Sequence, residues 1–117
     1  MNKQDFLNSL NNIQVNNKKV SMVEETYEGK FSNVVNSILS SCDKPLFIDD
    51  TRLLTYNEIL DADEDLGTNF IQQQLLPLFD CGDNDFIVYH ITKESWSLYN
   101  IIDECVFKNV KSLDELL

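Results

Sequence analysis

At 117 residues, 43% of them apolar, the chain is sized for one domain whose core needs neither disulfide nor metal staples. Twenty acids against nine lysines and arginines give a formal net charge of −11, which argues against direct binding to nucleic acid or to an anionic membrane surface. Its apolar runs fall far short of the about 20 residues a membrane-crossing helix needs, and the start MNKQDFLNSLNNIQ has no signal-peptide core, so cytoplasmic residence is expected.

The charge is divided sharply along the chain. Residues 1–45 hold five acids and five lysines, whereas residues 46–117 hold the other fifteen acids against Arg52, Lys93, Lys108 and Lys111. The whole excess therefore lies in the second part. Its natural complement is a basic protein partner, because opposite potentials speed encounter and disfavour wrong partners. Solubility alone is the plainer reading of the same charge. Cys42, Cys81 and Cys105 are odd in number and widely spaced, which argues against a disulfide framework and suits a reducing compartment.

In chain order, Phe6, Leu7 and Leu10 recur at helical spacing and predict a short helix over residues 5–10. Asn11, Asn12, Asn16 and Asn17 mark a polar loop over residues 11–19, so residues 1–19 read as a short helix and loop at the start of the domain. Residues 20–27 read as a strand or extended arm. Phe31, Val34, Val35, Ile38 and Leu39 give one apolar helical face over residues 31–40, stopped by Ser40-Ser41-Cys42-Asp43-Lys44-Pro45.

Leu46-Phe47-Ile48 predicts a short strand ending in Asp49-Asp50, with residues 52–54 resuming it after a kink. Thr55 stands three residues before Glu58, a capping-box spacing that predicts a helix over residues 56–66. Asp61, Asp63, Glu64 and Asp65 crowd its last turns, where carboxylates oppose the negative end of the helix dipole, so local stability does not account for them.

The most informative stretch is residues 75–103. The apolar run Leu75-Leu76-Pro77-Leu78-Phe79 meets a turn at Asp80-Cys81-Gly82-Asp83-Asn84, and strands follow over residues 85–91 and 96–102. Thr92-Lys93-Glu94-Ser95 has the length of a hairpin loop, which makes those strands antiparallel neighbours. Both of their faces are largely apolar, as in central strands covered on at least one side by helices. Val106, Phe107 and Val110 add an edge strand, and Ser112 with Glu115 repeats the capping-box spacing for a final helical turn. The fold class expected is α+β: one domain over residues 1–117, an antiparallel or mixed central sheet, and helices packed mainly on one face.

Candidate chemistry is sparse. Asp61, Asp63 and Asp65 open like a calcium loop, but Leu66, Thr68 and Gln72 stand where an EF-hand needs glycine, an aliphatic residue and a bidentate acid. Asp80, Asp83 and Asp85 form a second acidic knot within a turn, where Asp commonly serves backbone hydrogen bonds. His90 is the single histidine, with neither nucleophile nor orienting acid beside it in sequence. The three glycines stand too far apart for a phosphate loop. No enzyme, cofactor or metal is expected.

The order of pieces in residues 75–103 resembles the SUKH superfamily. Leu76-Pro77 leads to Gly82-Asp83, then to an apolar strand over residues 86–91, a short loop, and a strand opening with Trp96. Residues 53–60 (LLTYNEIL) are similar to the leucine-then-helix segment before the family's core sheet, and residues 112–117 to its closing helical tail, so the resemblance covers residues 46–117. It implies a SUKH-like domain and a non-catalytic bacterial immunity protein that binds and neutralises a cognate polymorphic toxin. On that reading Asp61, Asp63, Glu64, Asp65, Asp80, Asp83 and Asp85 meet a basic toxin surface, such as that of a nuclease whose cleft attracts phosphate. The alternative it implies is an intracellular regulatory or scaffolding adaptor related to cell-wall regulation.

Overall fold

A computed structural model describes all 117 residues. Six antiparallel strands stand in sequence order in one sheet: β1 (Leu46–Ile48), β2 (Thr51–Leu53), β3 (Leu75–Gly82), β4 (Asp85–His90), β5 (Ser95–Asn100) and β6 (Cys105–Val110). Each strand pairs with its neighbour in sequence, so the sheet is a meander.

The turns follow from residues that tolerate positive φ. Asp83 and Asn84 both adopt it (52° and 67°), which is the two-residue reversal matched to the right-handed twist of a hairpin. The turn is thus tighter than the expected span from Asp80 to Asn84, and Asp80 and Gly82 still pair with β4. The apolar run before it is itself a strand, β3. Pro77 has no N–H to give the ladder, and the register shifts directly after it. At Asp49-Asp50 the chain reverses where the sequence suggested a kink: Asp49 takes φ 53°, and Leu46 faces Leu53 across a β1–β2 hairpin.

Six short helices surround the sheet: α1 (Lys3–Ser9), α2 (Asn17–Tyr27), α3 (Asn33–Leu39), α4 (Tyr56–Leu60), α5 (Ala62–Leu66) and α6 (Phe70–Gln73). Residues 20–27 are helical, not extended. Asn16 caps α2 by accepting from the Lys19 N–H at 3.1 Å, and Val20, Val23 and Tyr27 form its buried stripe. Ser32 caps α3, whose Val35, Ile38 and Leu39 are buried, whereas Val34, expected on the apolar face, is 46% exposed. The helix expected over residues 56–66 is broken at Asp61, whose ψ of 11° separates α4 from α5. Asp63, Glu64 and Asp65 therefore stand in the first turn of α5, where the dipole favours carboxylates, and not in the last turns of one helix, where it would oppose them. The Thr55–Glu58 capping box forms as expected.

Helices cover both faces of the sheet, which corrects the one-sided packing expected. Phe79 pairs with Ile87 and Tyr99 with Phe86, and Phe86 and Ile87 are adjacent on β4, so Phe79 and Tyr99 project from opposite faces. Phe6 of α1 packs edge-on against Phe79 with ring centroids 5.9 Å apart, and Phe70 of α6 packs against Tyr99 at 5.1 Å. Phe86, Ile87, Val88 and Tyr89 are accordingly all buried, as in strands covered on two sides. Phe6→Ala and Phe70→Ala are each expected to destabilise the protein by about 3–5 kcal/mol in urea unfolding. A near-neutral result for either would mean that its face is not covered.

Candidate functional site

Arg52 is the only cation between Lys44 and Lys93, and the acidic side chains are arranged around it. It lies on β2 directly opposite Asp80 of β3. Its guanidinium forks onto Glu58 of α4 at 2.8 and 3.0 Å and reaches Asp80 Oδ2 at 3.7 Å. Glu58 is held for this contact by the capping box, where it accepts from the Thr55 N–H at 2.9 Å. The hydrogen bond from Arg52 outweighs the opposing effect of burial and, with the Thr55 N–H, lowers the Glu58 carboxyl to about 2. Asp80 also accepts from the Gly82 N–H at 2.9 Å, an Asx turn at the end of β3.

The two acidic stretches meet above this network. A cleft of about 70 Å³ between α5 and the β3–β4 hairpin is floored by Ala62, Leu66 and Phe86 and brings Asp65 beside Asp80. The other acids divide by what they bond. Asp63 turns inward and caps α6, accepting from Thr68 Oγ1 and the Phe70 N–H at 2.7 Å each and from the Ile71 N–H at 3.1 Å. Asp85 accepts from Asn100 Nδ2 at 2.8 Å, on the sheet face opposite Phe86. Asp61, Glu64, Asp65 and Asp83 are exposed and engage no cation and no side-chain hydrogen bond.

Meander topology extends this acidic surface beyond the residues singled out in the sequence. The β1–β2, β3–β4 and β5–β6 hairpins all turn at one end of the sheet, and the Ile101 N–H donates to the Asn84 carbonyl across two of them at 3.0 Å. Each turn carries exposed acids: Asp49 and Asp50, Asp83, and Asp103 with Glu104. Lys93 lies in the β4–β5 turn at the other end. The sequence holds a signal for this end, acids at alternate reversals of a meander, but it is readable only once the strand order is known.

The remaining reactive groups stand apart. His90 Nδ1 lies 3.3 Å from Thr92 Oγ1 and accepts from the Lys93 backbone N–H at 3.4 Å, and burial followed by the nearby Lys93 charge lowers its pKa. Burial pushes the Cys42 thiol up to about 12 and the Cys81 thiol to about 11, so neither is a thiolate at neutral pH. The largest cavity, an open depression of about 490 Å³ beside Tyr27 and Asn69, contains no histidine or cysteine, and the Tyr27 hydroxyl is engaged in donating to the Ile59 carbonyl at 2.6 Å. No group of three or more His, Cys, Asp or Glu side chains is placed to hold a metal ion, and no helix is long and apolar enough to cross a membrane. Comparison of the chain with family models, with curated proteins and with solved structures returns no match.

Two measurements separate the engaged acids from the free ones. Glu58 binds its proton more weakly in the folded than in the unfolded chain, so its contribution is complete above about 4.5 and is lost as pH falls toward about 2. With Glu58 partly solvent-screened, that contribution is on the order of 1 kcal/mol, and Glu58→Gln should flatten the acid limb of stability against pH. Asp63→Ala is expected to cost about 1–2 kcal/mol through loss of the α6 cap, whereas Glu64→Ala should stay within about 0.5 kcal/mol. Equal effects would contradict the division.

Proposed function

We propose that this chain is a SUKH-type immunity protein that binds a basic toxin domain through its acidic turn end and the adjoining flank of α5, and blocks the toxin without chemistry of its own. The observation that carries the reading is the set of exposed, uncompensated acids: Asp49, Asp50 and Asp83 at the turns, and Asp61, Glu64 and Asp65 around α5. Asp49, Asp50, Asp61 and Asp83 have no internal partner, Glu64 and Asp65 gain only the dipole of the first turn of α5, and the mutual repulsion of all six works against the fold. A basic partner converts that repulsion into attraction.

The proposed surface is narrower than the sequence alone suggests. Asp63, Asp80 and Asp85 hold internal partners, so they shape the surface rather than present free charge. The motifs that resemble the SUKH superfamily fall on consecutive elements of one meander: Leu76-Pro77 within β3, Gly82-Asp83 at its turn, and Trp96 near the start of β5. That continuity supports reading them together. A nuclease toxin suits such a surface because its cleft must attract phosphate and is therefore positive. Attraction steers encounter, and the bound domain then occludes the toxin.

The test begins with the neighbouring genes. An adjacent open reading frame with a C-terminal toxin domain should be neutralised on co-expression, and the two proteins should bind directly. Reversing Asp61, Glu64, Asp65 and Asp83 to lysine is expected to slow association by about 10- to 100-fold at low salt and to flatten its salt dependence. Unchanged binding kinetics would reject this placement. A chain with no toxin neighbour and no rescue would instead fit the regulatory adaptor.

A further inference from the structure

We infer that the free edge formed by β6 binds a second copy of this chain, joining two six-stranded sheets across a two-fold axis. The two edges of the sheet differ. Beside β1 lies the N-terminal residue: the Met1 carbonyl accepts from the Asp49 N–H at 2.9 Å, and the Met1 amino group donates to the Phe47 carbonyl at 3.4 Å. Beyond β6 there is no strand, and no other element bonds its outer backbone groups. Residues 105–109 are all exposed.

This edge is also where exposed apolar surface gathers. Eight large apolar side chains are left exposed; Met1 and Phe47 are neighbours at the β1 edge, and the larger group, three within six residues, falls here: Ile102 (69%), Val106 (38%) and Phe107 (52%). Such clustering marks a contact surface, whereas scattered single residues do not.

Charge selects the occupant. Asp103 and Glu104 precede β6, while Lys108 and Lys111 lie within and after it, so this strip is locally neutral inside the acidic part of the chain. Two copies can approach here without the repulsion that a charge of −11 imposes elsewhere. An antiparallel two-fold pairing sets the acidic start of each strand against the lysine-bearing end of the other, and does so twice. A parallel pairing would set like against like. A basic partner strand would meet Lys108 and Lys111, which directs it to the acidic end instead.

The same features stop the assembly at two. Between Leu98 and Tyr99 the register shifts and leaves Phe107 as an extra residue, which twists β6 and limits extended pairing. Head-to-tail growth from β6 onto β1 would form filaments, and the N-terminal residue alongside β1 obstructs it. An edge of six residues is small for an interface, so the dimer is weak and its population rises with concentration.

Sedimentation equilibrium of the full chain over a concentration series tests this. The mass should rise from 13.6 kDa toward twice that value. Phe107→Glu and the double variant D103K/E104K should each weaken dimerisation by about tenfold or more; both alter exposed positions, and circular dichroism checks that they fold. The fourfold exchange D103K/E104K/K108E/K111E should restore the dimer, because acid and base trade ends. A mass of 13.6 kDa at the highest soluble concentration, or a dimer indifferent to Phe107→Glu, would overturn the inference. A fourfold variant as weak as the double one would overturn the antiparallel arrangement.

Discussion

The fork of Arg52 onto Glu58, with Asp80 alongside, ties three separate pieces of this chain. Arg52 belongs to β2, Glu58 to the capping box that starts α4, and Asp80 to β3. One cation thereby fixes where the helical segment leaves the sheet and how it returns beside the strand that follows. Without the guanidinium, Glu58 and Asp80 would repel one another in a half-buried setting, because no other positive side chain lies within reach. Glu58 is also the acid that satisfies the Thr55 N–H, so the ion pair and the helix cap share one carboxylate, while the Glu58 N–H caps onto Thr55 Oγ1 on its own.

That network sorts the acids of the second part of the chain into two populations. Glu58, Asp63, Asp80 and Asp85 each accept hydrogen bonds that close a cap, a turn or a strand pair. Asp114 and Glu115 bond Ser112 in the closing turn, and the rest sit at hairpin turns and around α5, where they hold no internal partner. Net charge alone cannot distinguish these populations, and the engaged acids contribute little to a partner's view of the surface. The free ones are concentrated by topology, because alternate turns of a meander share one end.

Legibility in the sequence followed the range of the interactions involved. The β4–β5 hairpin was readable because its alternation and loop length are local, and the Thr55–Glu58 box because it spans three residues. Helix α2 was hidden: its cap, Asn16, sits in an Asn-rich stretch that reads as loop, and exposed Met22 beside buried Val23 blurs the helical stripe. Strand β3 was hidden by Pro77, whose cost to the ladder is absorbed by a register shift that only the folded sheet reveals. The cover on both faces was foreshadowed by apolar residues on both sides of β4, yet which helix lies on which face depends on contacts such as Phe6 with Phe79. The acidic end was invisible for the same reason, since only the strand order brings the turns of Asp49 and Asp103 to the same end of the sheet.

The placement of charge also bears on how the two proposed surfaces coexist. Hairpin turns rich in acid lie at one end of the sheet, and β6 runs away from that end toward Lys111. An antiparallel pairing of two β6 strands therefore points the two acidic ends in opposite directions, which is the arrangement of least mutual repulsion for two such chains. The flank of α5 lies over the β3–β4 hairpin, with β5 standing between it and the β6 edge. Each copy in the proposed dimer would thus keep its α5 flank and the Asp49, Asp50 and Asp83 turns open to a partner. Asp103 and Glu104 alone are shared between the surfaces, and pairing them with lysines removes charge from the acidic end at the corner farthest from β1.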